Sequence, residues 1–399
     1  MHRPPIKSTI AMLLLTMLGS GTASGASFDD GRLQIHGFAA QAAVLTDNNS
    51  FFGDSQDLSL DFREAGINAS YRPNSKLRLA GQVLSRRAGD LYDGSPRIDY
   101  ALAALTLTES PRLRSELRVG RIKNEMGLYN ATRDVPFTRP SIFLPQSIYF
   151  DETRDSLLSS DGATLAVNFM GDAGTFSGSI GVGRPPTDAN TEWTLFGLDL
   201  PGRLSSEYDT ISASLRYRSR DESLQLGLSR WDSTLRYEPG AALDLPAGEI
   251  NLVFNIASLQ YDWNRWTATA EYLYLPLEFR DFGPLFPFGE ANGESWYLQG
   301  EYRLNPRFTL MGRYERGYSD TDDRDGKSQS AATGGLIPPF DFFDRGLTAG
   351  VTWDVNQHLM LRAEYSHRDG TYVLSPRENP LSQLERKWHY VALQIAVRF

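Results

Sequence analysis

The sequence predicts an all-β chain whose antiparallel strands run up and down and close into a membrane-spanning barrel of about sixteen strands. Three observations predict it. Apolar residues recur at every second position over segments of roughly 9–11 residues, the length that crosses a bilayer at about 45° tilt. The connections between these segments alternate between short turns and long polar loops. Beyond the N-terminal segment, nothing approaches the roughly 18 consecutive apolar residues of a spanning helix, and no stretch carries a helical period.

The composition agrees. The chain has 399 residues, 41% hydrophobic, 12% aromatic and 22% charged, with a net charge of −9. Mean hydropathy is −0.37, too polar for a bundle of spanning helices but suited to strands that are apolar on one face. An acidic balance argues against nucleic acid as a partner, since phosphate backbones select basic surfaces. Cysteine is absent, so there is no disulfide framework, thiolate metal site or cysteine nucleophile. No cofactor motif is found: neither a Walker loop, a dinucleotide fingerprint nor H-E-x-x-H.

Residues 1–26 read as a cleaved secretory leader. His2, Arg3 and Lys7 form a basic start, Ile10 to Leu18 a short apolar core, and Ser24-Gly25-Ala26 a small-residue cleavage site. The body, 27–399, is the barrel. A secreted chain without cysteine suits a bacterial envelope.

The strands follow in order. The first covers about 32–45. The same alternation marks 58–71 and 76–84. Ile211, Ala213, Leu215 and Tyr217 alternate with Ser212, Ser214, Arg216 and Arg218, and Leu224, Leu226 and Leu228 with Gln225, Gly227 and Ser229. Further segments lie at 266–274, 308–314 and 347–355. Trp296, Leu298 and Gly300 oppose Tyr297, Gln299 and Glu301, and Leu359, Leu361, Ala363 and Tyr365 oppose Met360, Arg362, Glu364 and Ser366. The last strand, about 387–399, ends in Val391, Leu393, Ile395, Val397 and Phe399.

Tight-turn residues mark seven connections, at Pro73-Asn74, Ser110-Pro111, Gly171–Gly174, Ser219–Glu222, Asp262–Asn264, Asn305-Pro306 and Asn356-Gln357. Eight longer loops fall near 46–57, 87–97, 124–160, 184–207, 233–248, 275–293, 319–343 and 368–386. Fifteen connections give sixteen strands, with both termini on the short-turn side. The first strand must pair with the last, because an open edge in hydrocarbon leaves backbone groups unsatisfied at several kcal/mol each.

Apolar positions facing lipid put the opposite parity in a wet interior. That set holds Arg78, Arg114, Arg118, Arg216, Arg303, Arg313, Arg362 and Arg398 with Asp61, Glu116, Glu271, Glu301, Glu315 and Glu364. Aromatics near strand ends, Tyr71, Tyr217, Trp231, Trp263, Trp266, Tyr274, Tyr318, Trp353, Tyr365 and Trp388, are expected to form interfacial girdles.

The loop 124–160 differs from the rest. It carries Phe137, Ile142, Phe143, Leu144, Ile148, Tyr149 and Phe150 with three prolines. So apolar a loop should pack on something, and the place for it is inside the barrel. Its Arg133, Arg139, Asp151, Glu152 and Arg154, opposite Arg78, Arg114 and Arg118 on the wall, are the expected pore constriction. Acidic loop groups across from wall arginines would set a transverse field that sorts solutes by charge.

Gly120-Arg121-Ile122-Lys123-Asn124 leading into Gly127-Leu128-Tyr129-Asn130, and the terminal Phe399 after Ala396-Val397-Arg398, resemble the sixteen-stranded Gram-negative outer-membrane porins, including the phosphate-selective and related substrate-specific porins. The resemblance implies passive diffusion of small hydrophilic solutes or ions, a third loop folded into the lumen, and homotrimers in a bilayer rimmed by lipopolysaccharide. It also implies an aromatic terminus read by the outer-membrane assembly machinery. No lysine ladder for phosphate is evident. A substrate-specific or anion-selective channel of the same fold is the alternative, and an outer-membrane enzyme or an adhesion barrel the alternative of another class. For the enzyme, His36 and His389 fall on the two closing strands, which could bring them together, but no G-x-S-x-G spacing accompanies them. The run Asp320 to Gly326 misses calcium-loop spacing and reads as a solvated loop.

Overall fold

The computed structural model describes residues 25–28, 31–198, 200–241, 246–283, 286 and 289–399. The leader region 1–24 therefore lies outside the described residues. Sixteen long strands form one closed antiparallel sheet: β1 (Leu33–Thr46), β2 (Ser59–Tyr71), β3 (Leu77–Ala88), β4 (Tyr92–Glu109), β5 (Leu113–Lys123), β6 (Ser159–Gly171), β7 (Gly174–Arg184) and β8 (Thr210–Ser219). The second half continues with β9 (Leu224–Pro239), β10 (Gly248–Trp263), β11 (Trp266–Arg280), β12 (Glu290–Asn305), β13 (Phe308–Tyr318), β14 (Phe343–Asp354), β15 (Leu359–Gly370) and β16 (Lys387–Arg398). Two short strands, Ala26–Phe28 and Gly202–Ser205, add to its rims on β1 and β9.

Each strand pairs with its sequence neighbours, and β16 pairs with β1 from Arg398↔Phe38 to Tyr390↔Thr46. The sheet thus has no free edge, the one arrangement that satisfies every ladder group without water. All seven short turns join the strands where expected. Three of the expected long loops are shorter, because the hairpins β3–β4, β9–β10 and β11–β12 extend past the belt: their strands run on to Ala88 and from Tyr92, to Pro239 and from Gly248, and to Arg280 and from Glu290. Water neither forbids nor requires strand pairing there, so alternation fades while the ladder continues.

The side chains are sorted inside out. Large apolar residues are exposed on the outer face, among them Ile67 (51%), Ile180 (58%), Leu228 (61%), Leu298 (56%), Leu347 (58%) and Leu393 (57%). Charged groups are buried within, among them Glu64, Arg86, Glu271, Arg313, Glu315 and Glu364. A soluble protein buries the former and exposes the latter, whereas a barrel in lipid does the reverse, since an outward charge at mid-membrane costs about 2–4 kcal/mol.

Around the short-turn end runs an aromatic band. Trp263 stacks on Trp266 (6.1 Å, 15°), Trp266 packs on Tyr302 (4.6 Å), Phe308 stacks on Trp353 (5.5 Å, 13°) and Phe176 packs on Tyr217 (4.9 Å). Trp231, Tyr318 and Trp388 do not join a girdle: they are buried inside at 1%, 3% and 0% exposure. Their parity decides it, as Trp231 sits on the Ser229 and Ser233 side of β9 and Trp388 on the Tyr390 and Ala392 side of β16. Asp61 likewise leaves the inner set, because it shares the parity of Ile67 and pairs with Arg87 at 2.7 Å on the outer rim.

The core lies within the barrel, toward the long-loop end, in two apolar clusters. One joins Trp231, Leu235, Ile250, Phe254 and Leu273 to Leu144, Ile148, Phe150 and Leu157 of the long loop and to Phe196 of a helix at Ala189–Phe196. The other surrounds Phe143, whose ring lies 4.9–5.5 Å from Phe51, Phe52, Phe62 and Tyr390.

A loop bound to one half of the inner wall

The segment 124–158 departs from β5 and returns to β6, and its base is laced by asparagines. Asn124 Nδ2 donates to the Leu157 carbonyl, and Asn130 Nδ2 to the carbonyls of Asn124 and Leu157. Next the chain reaches β11. The Glu271 carboxylate accepts from Leu128 N (2.8 Å), Tyr149 Oη (2.5 Å), Ser258 Oγ (2.6 Å) and Tyr297 Oη (2.8 Å). Gly127 makes this possible: its φ is +55°, and a Cβ would lie 2.5 Å from Tyr149 Oη and 2.8 Å from Glu271 Oε1.

The rest of the segment is held by β13, β15, β2 and β3. Arg362 donates to the carbonyls of Pro136 (2.9 Å), Ser141 (3.2 Å) and Arg139 (2.5 Å), and Arg313 to Ser141 Oγ and the Phe143 carbonyl. Glu364 accepts from Ile142 N. Glu64 and Arg86 are cross-strand partners. Glu64 binds Arg139 at 2.6 Å and Arg86 at 3.1 Å, and Arg86 binds Asp151 at 2.9 Å. The strand-borne charges bond to loop backbone groups that no ladder pairs, although Arg86 Nη1, Arg313 Nη2 and Glu364 Oε2 keep no hydrogen-bond partner among the described residues.

Of the candidate residues, four come together and are buried. Arg133 binds Asp151 (3.0 Å) and the Tyr149 carbonyl (2.7 Å). Arg139 is on Glu64, and Arg154 pairs with Asp134, which Lys123 also holds. Burial lowers the Arg133 pKa to about 10, Asp151 opposing the shift. Glu152 stands apart beside Thr194, with one carboxylate oxygen unpartnered among the described residues. Burial pushes it up to about 8, and the charges of Asp341, Glu378 and Asp151 add to the shift. Glu378, half-buried and accepting from the amides of Asp90, Gly53 and Phe52, is raised by desolvation to about 7.

Arg78, Arg114 and Arg118 gather elsewhere, around Glu116, at 3.0, 3.7 and 2.8 Å. Arg118 also meets Glu125 of the loop at 2.9 Å. These groups are wet: side-chain exposure is 27%, 46%, 23% and 31% for Arg78, Arg114, Arg118 and Glu125. Beside them the inner face of β7 and β8 is made of small residues, Ser177, Ser179, Gly181, Ser212 and Ser214, with Arg216, whose Nη2 donates to the Gly127 carbonyl. The expected single ring is therefore two groups, one buried and one wet.

Sequence reasoning did not single out Glu64 or Arg86, and it gave Glu125 and Asp134 no role beyond loop charges and Gly127 none beyond the resemblance. Strand parity places Glu64 and Arg86 inside, but nothing local says that a loop more than forty positions away will cover them. The two histidines that the closing strands could have brought together stay apart. Strands β1 and β16 are antiparallel, so His36 and His389 fall at opposite ends. His389 instead faces His367, with ring centroids 4.5 Å apart, and its amide donates to Asp47. In the run 320–326, Arg324 binds Glu294 at 2.8 Å and Lys327 binds Asp325 at 2.6 Å.

No family model matches the chain, and no curated protein does either. Solved structures do. The outer-membrane channel DcaP of Acinetobacter baumannii superposes with a TM-score of 0.59 at 12% identity, over 94% of this chain and 100% of that one. An anion-selective porin from Comamonas acidovorans gives 0.58 at 12%, over 92% and 99%, and Salmonella typhi OmpF 0.54 at 14%, over 92% and 97%. At such identities the likeness is one of fold: the chain is an all-β antiparallel barrel of the Gram-negative outer-membrane porin architecture. Its closed sheet and apolar outer belt are those of an outer-membrane protein.

Proposed function

We propose that the protein is an outer-membrane diffusion channel, passing small hydrophilic solutes or ions down their gradients, and is not an enzyme. The observation that carries this reading is the division of the interior. The loop 124–158 covers the inner faces of β13, β15, β1, β2 and the Arg86 end of β3, whereas Arg78 at the other end of β3 and the inner faces of β5–β8 keep polar side chains in water. On this reading the loop narrows the barrel, and solutes pass along the bare wall. Arg78, Arg114 and Arg118, with Glu116 and Glu125, form the charged gate, and Arg133, Arg139, Asp151 and Arg154 hold the loop in place. Closely spaced charges of both signs sort solutes by charge and dipole.

Homotrimers, contact with lipopolysaccharide and recognition of Phe399 by the assembly machinery belong to the same proposal. Ion conduction tests it. Purified protein in planar bilayers should give stepwise conductance, whereas silence would favour an enzyme or adhesion barrel. Deleting Phe137 to Tyr149 should raise the step size, and an unchanged step in a folded variant would place the loop away from the solute path.

A further inference from the structure

A cavity of about 640 Å3 opens at the short-turn end, beneath the loop. Phe137, Arg139 and Pro140 roof it, and the turns carrying Arg307 and Gln357 line its mouth with Arg362 and Arg398. Its arginines differ from those above. In the loop network, guanidiniums meet carboxylates within about 3 Å: Arg86 on Glu64, Arg133 on Asp151, Arg139 on Glu64. Around this cavity, Arg307, Arg362 and Arg398 form no ion pair among the described residues.

Each is held differently. Arg362 is spent on loop carbonyls and Thr352, so it contributes charge rather than free donors. Arg398 is fixed in place: its guanidinium stacks 4.3 Å above the Phe137 ring and its Nε donates to the Gln357 carbonyl at 2.9 Å. This leaves the two terminal nitrogens for a ligand. Arg307 is held through its backbone, by Asn305 Oδ1 and the Asp354 amide, and its guanidinium has no hydrogen-bond or ion-pair partner among the described residues. Two carboxylates, Glu301 and Asp354, also line the cavity, and both act on Arg362; with Arg139 on Glu64, Arg307 and Arg398 are the guanidiniums left without a carboxylate in ion-pair contact. Guanidinium stays charged at any working pH, and its planar fork matches carboxylate and phosphate oxygens.

We propose that this cavity is a docking site for a small hydrophilic anion carrying carboxylate or phosphate groups, bound between Arg307 and Arg398 on the short-turn side of the loop. The proposal rests on the channel reading, for it makes the cavity one end of the solute path.

Titration calorimetry on the detergent-solubilised protein tests it, with sodium succinate, sodium phosphate and methylammonium chloride as probes. Saturable binding of succinate or phosphate is expected, and whichever binds more tightly identifies the headgroup. Arg307→Gln and Arg398→Gln should each weaken it roughly tenfold, the loss of one charge-assisted hydrogen bond, while Arg184→Gln on the outer rim should leave it unchanged. Absence of heat with both anions, equal binding of methylammonium, or affinity unmoved by either substitution in a folded protein would overturn the proposal. Bilayer conductance separates the two readings. Conduction without anion binding removes only this site, and anion binding to a barrel that conducts nothing removes only the channel.

Discussion

The two halves of the inner wall use the same residue types to opposite ends. On β13, β15, β2 and β3, Arg313, Arg362, Glu364, Glu64 and Arg86 are nearly without solvent and are spent on the loop's carbonyls, amides and charges. On β3 and β5, Arg78, Arg114 and Arg118 crowd one carboxylate, yet remain a quarter to a half exposed. Burial is what divides them. A desolvated charge is costly unless fully partnered, so the first set is structural mortar, whereas the second keeps water and remains free to attract a passing ion.

Variants that break the contrast should differ in kind. The largest effect is expected on the covered side. Phe143→Ala empties a site ringed by four aromatics and should cost about 3–5 kcal/mol. The check is chemical denaturation in detergent, with new proteolytic cleavage within 124–158. Glu271→Ala removes the shared acceptor of the Tyr149, Ser258 and Tyr297 hydroxyls, while the Leu128 amide keeps Tyr149 Oη, and should cost about 1–3 kcal/mol. It should free the loop and raise conductance noise in single-channel records. From outside, Leu228→Arg places a charge on the lipid face and should cost about 2–4 kcal/mol if that residue lies near mid-membrane, measured by refolding into liposomes. On the bare side, Arg118→Gln should change stability by less than about 1 kcal/mol, as wet ion pairs do. It should nonetheless shift the reversal potential in a KCl gradient toward cations.

A separate test concerns pH. Glu152 titrates near 8 in the folded loop against an ordinary value of 4.5, and Glu378 near 7. The folded protein therefore holds these protons more tightly than the unfolded chain. Stability should fall as pH rises from about 4.5 to about 8 and level off above it. Thermal unfolding of the protein and of Glu152→Gln at pH 5 and pH 8.5 checks this, the variant losing part of the difference.

Much of the barrel was readable because period-two alternation is a local signal. Leu361 against Arg362 and Leu298 against Gln299 fall on outer and inner faces as written, and turn chemistry at Pro73-Asn74 and Asn305-Pro306 marks the hairpins. The apolar content of 124–160 also marked it as a segment in need of something to pack against. The site was less legible, since which charges stay wet depends on where that segment lands, a contact between distant parts of the chain. Trp231, Tyr318 and Trp388 show the same limit. An aromatic near a strand end suggests the interface, but parity sends these three inward, where Phe254, the cation of Arg324 and Phe51 meet their rings.

The join between β1 and β16 has a kinetic consequence. Phe38 pairs with Gly66 on one side and with Arg398 on the other, so the opening strand must wait through synthesis of almost everything else before its second ladder can form. Until then both outermost strands present bare amides and carbonyls, which invite stray partners. Zipping this seam is the most sequence-distant step in assembly and is expected to govern its rate. A substitution that spoils the seam, such as proline at Leu393, should therefore delay insertion far more than the same change in an interior hairpin.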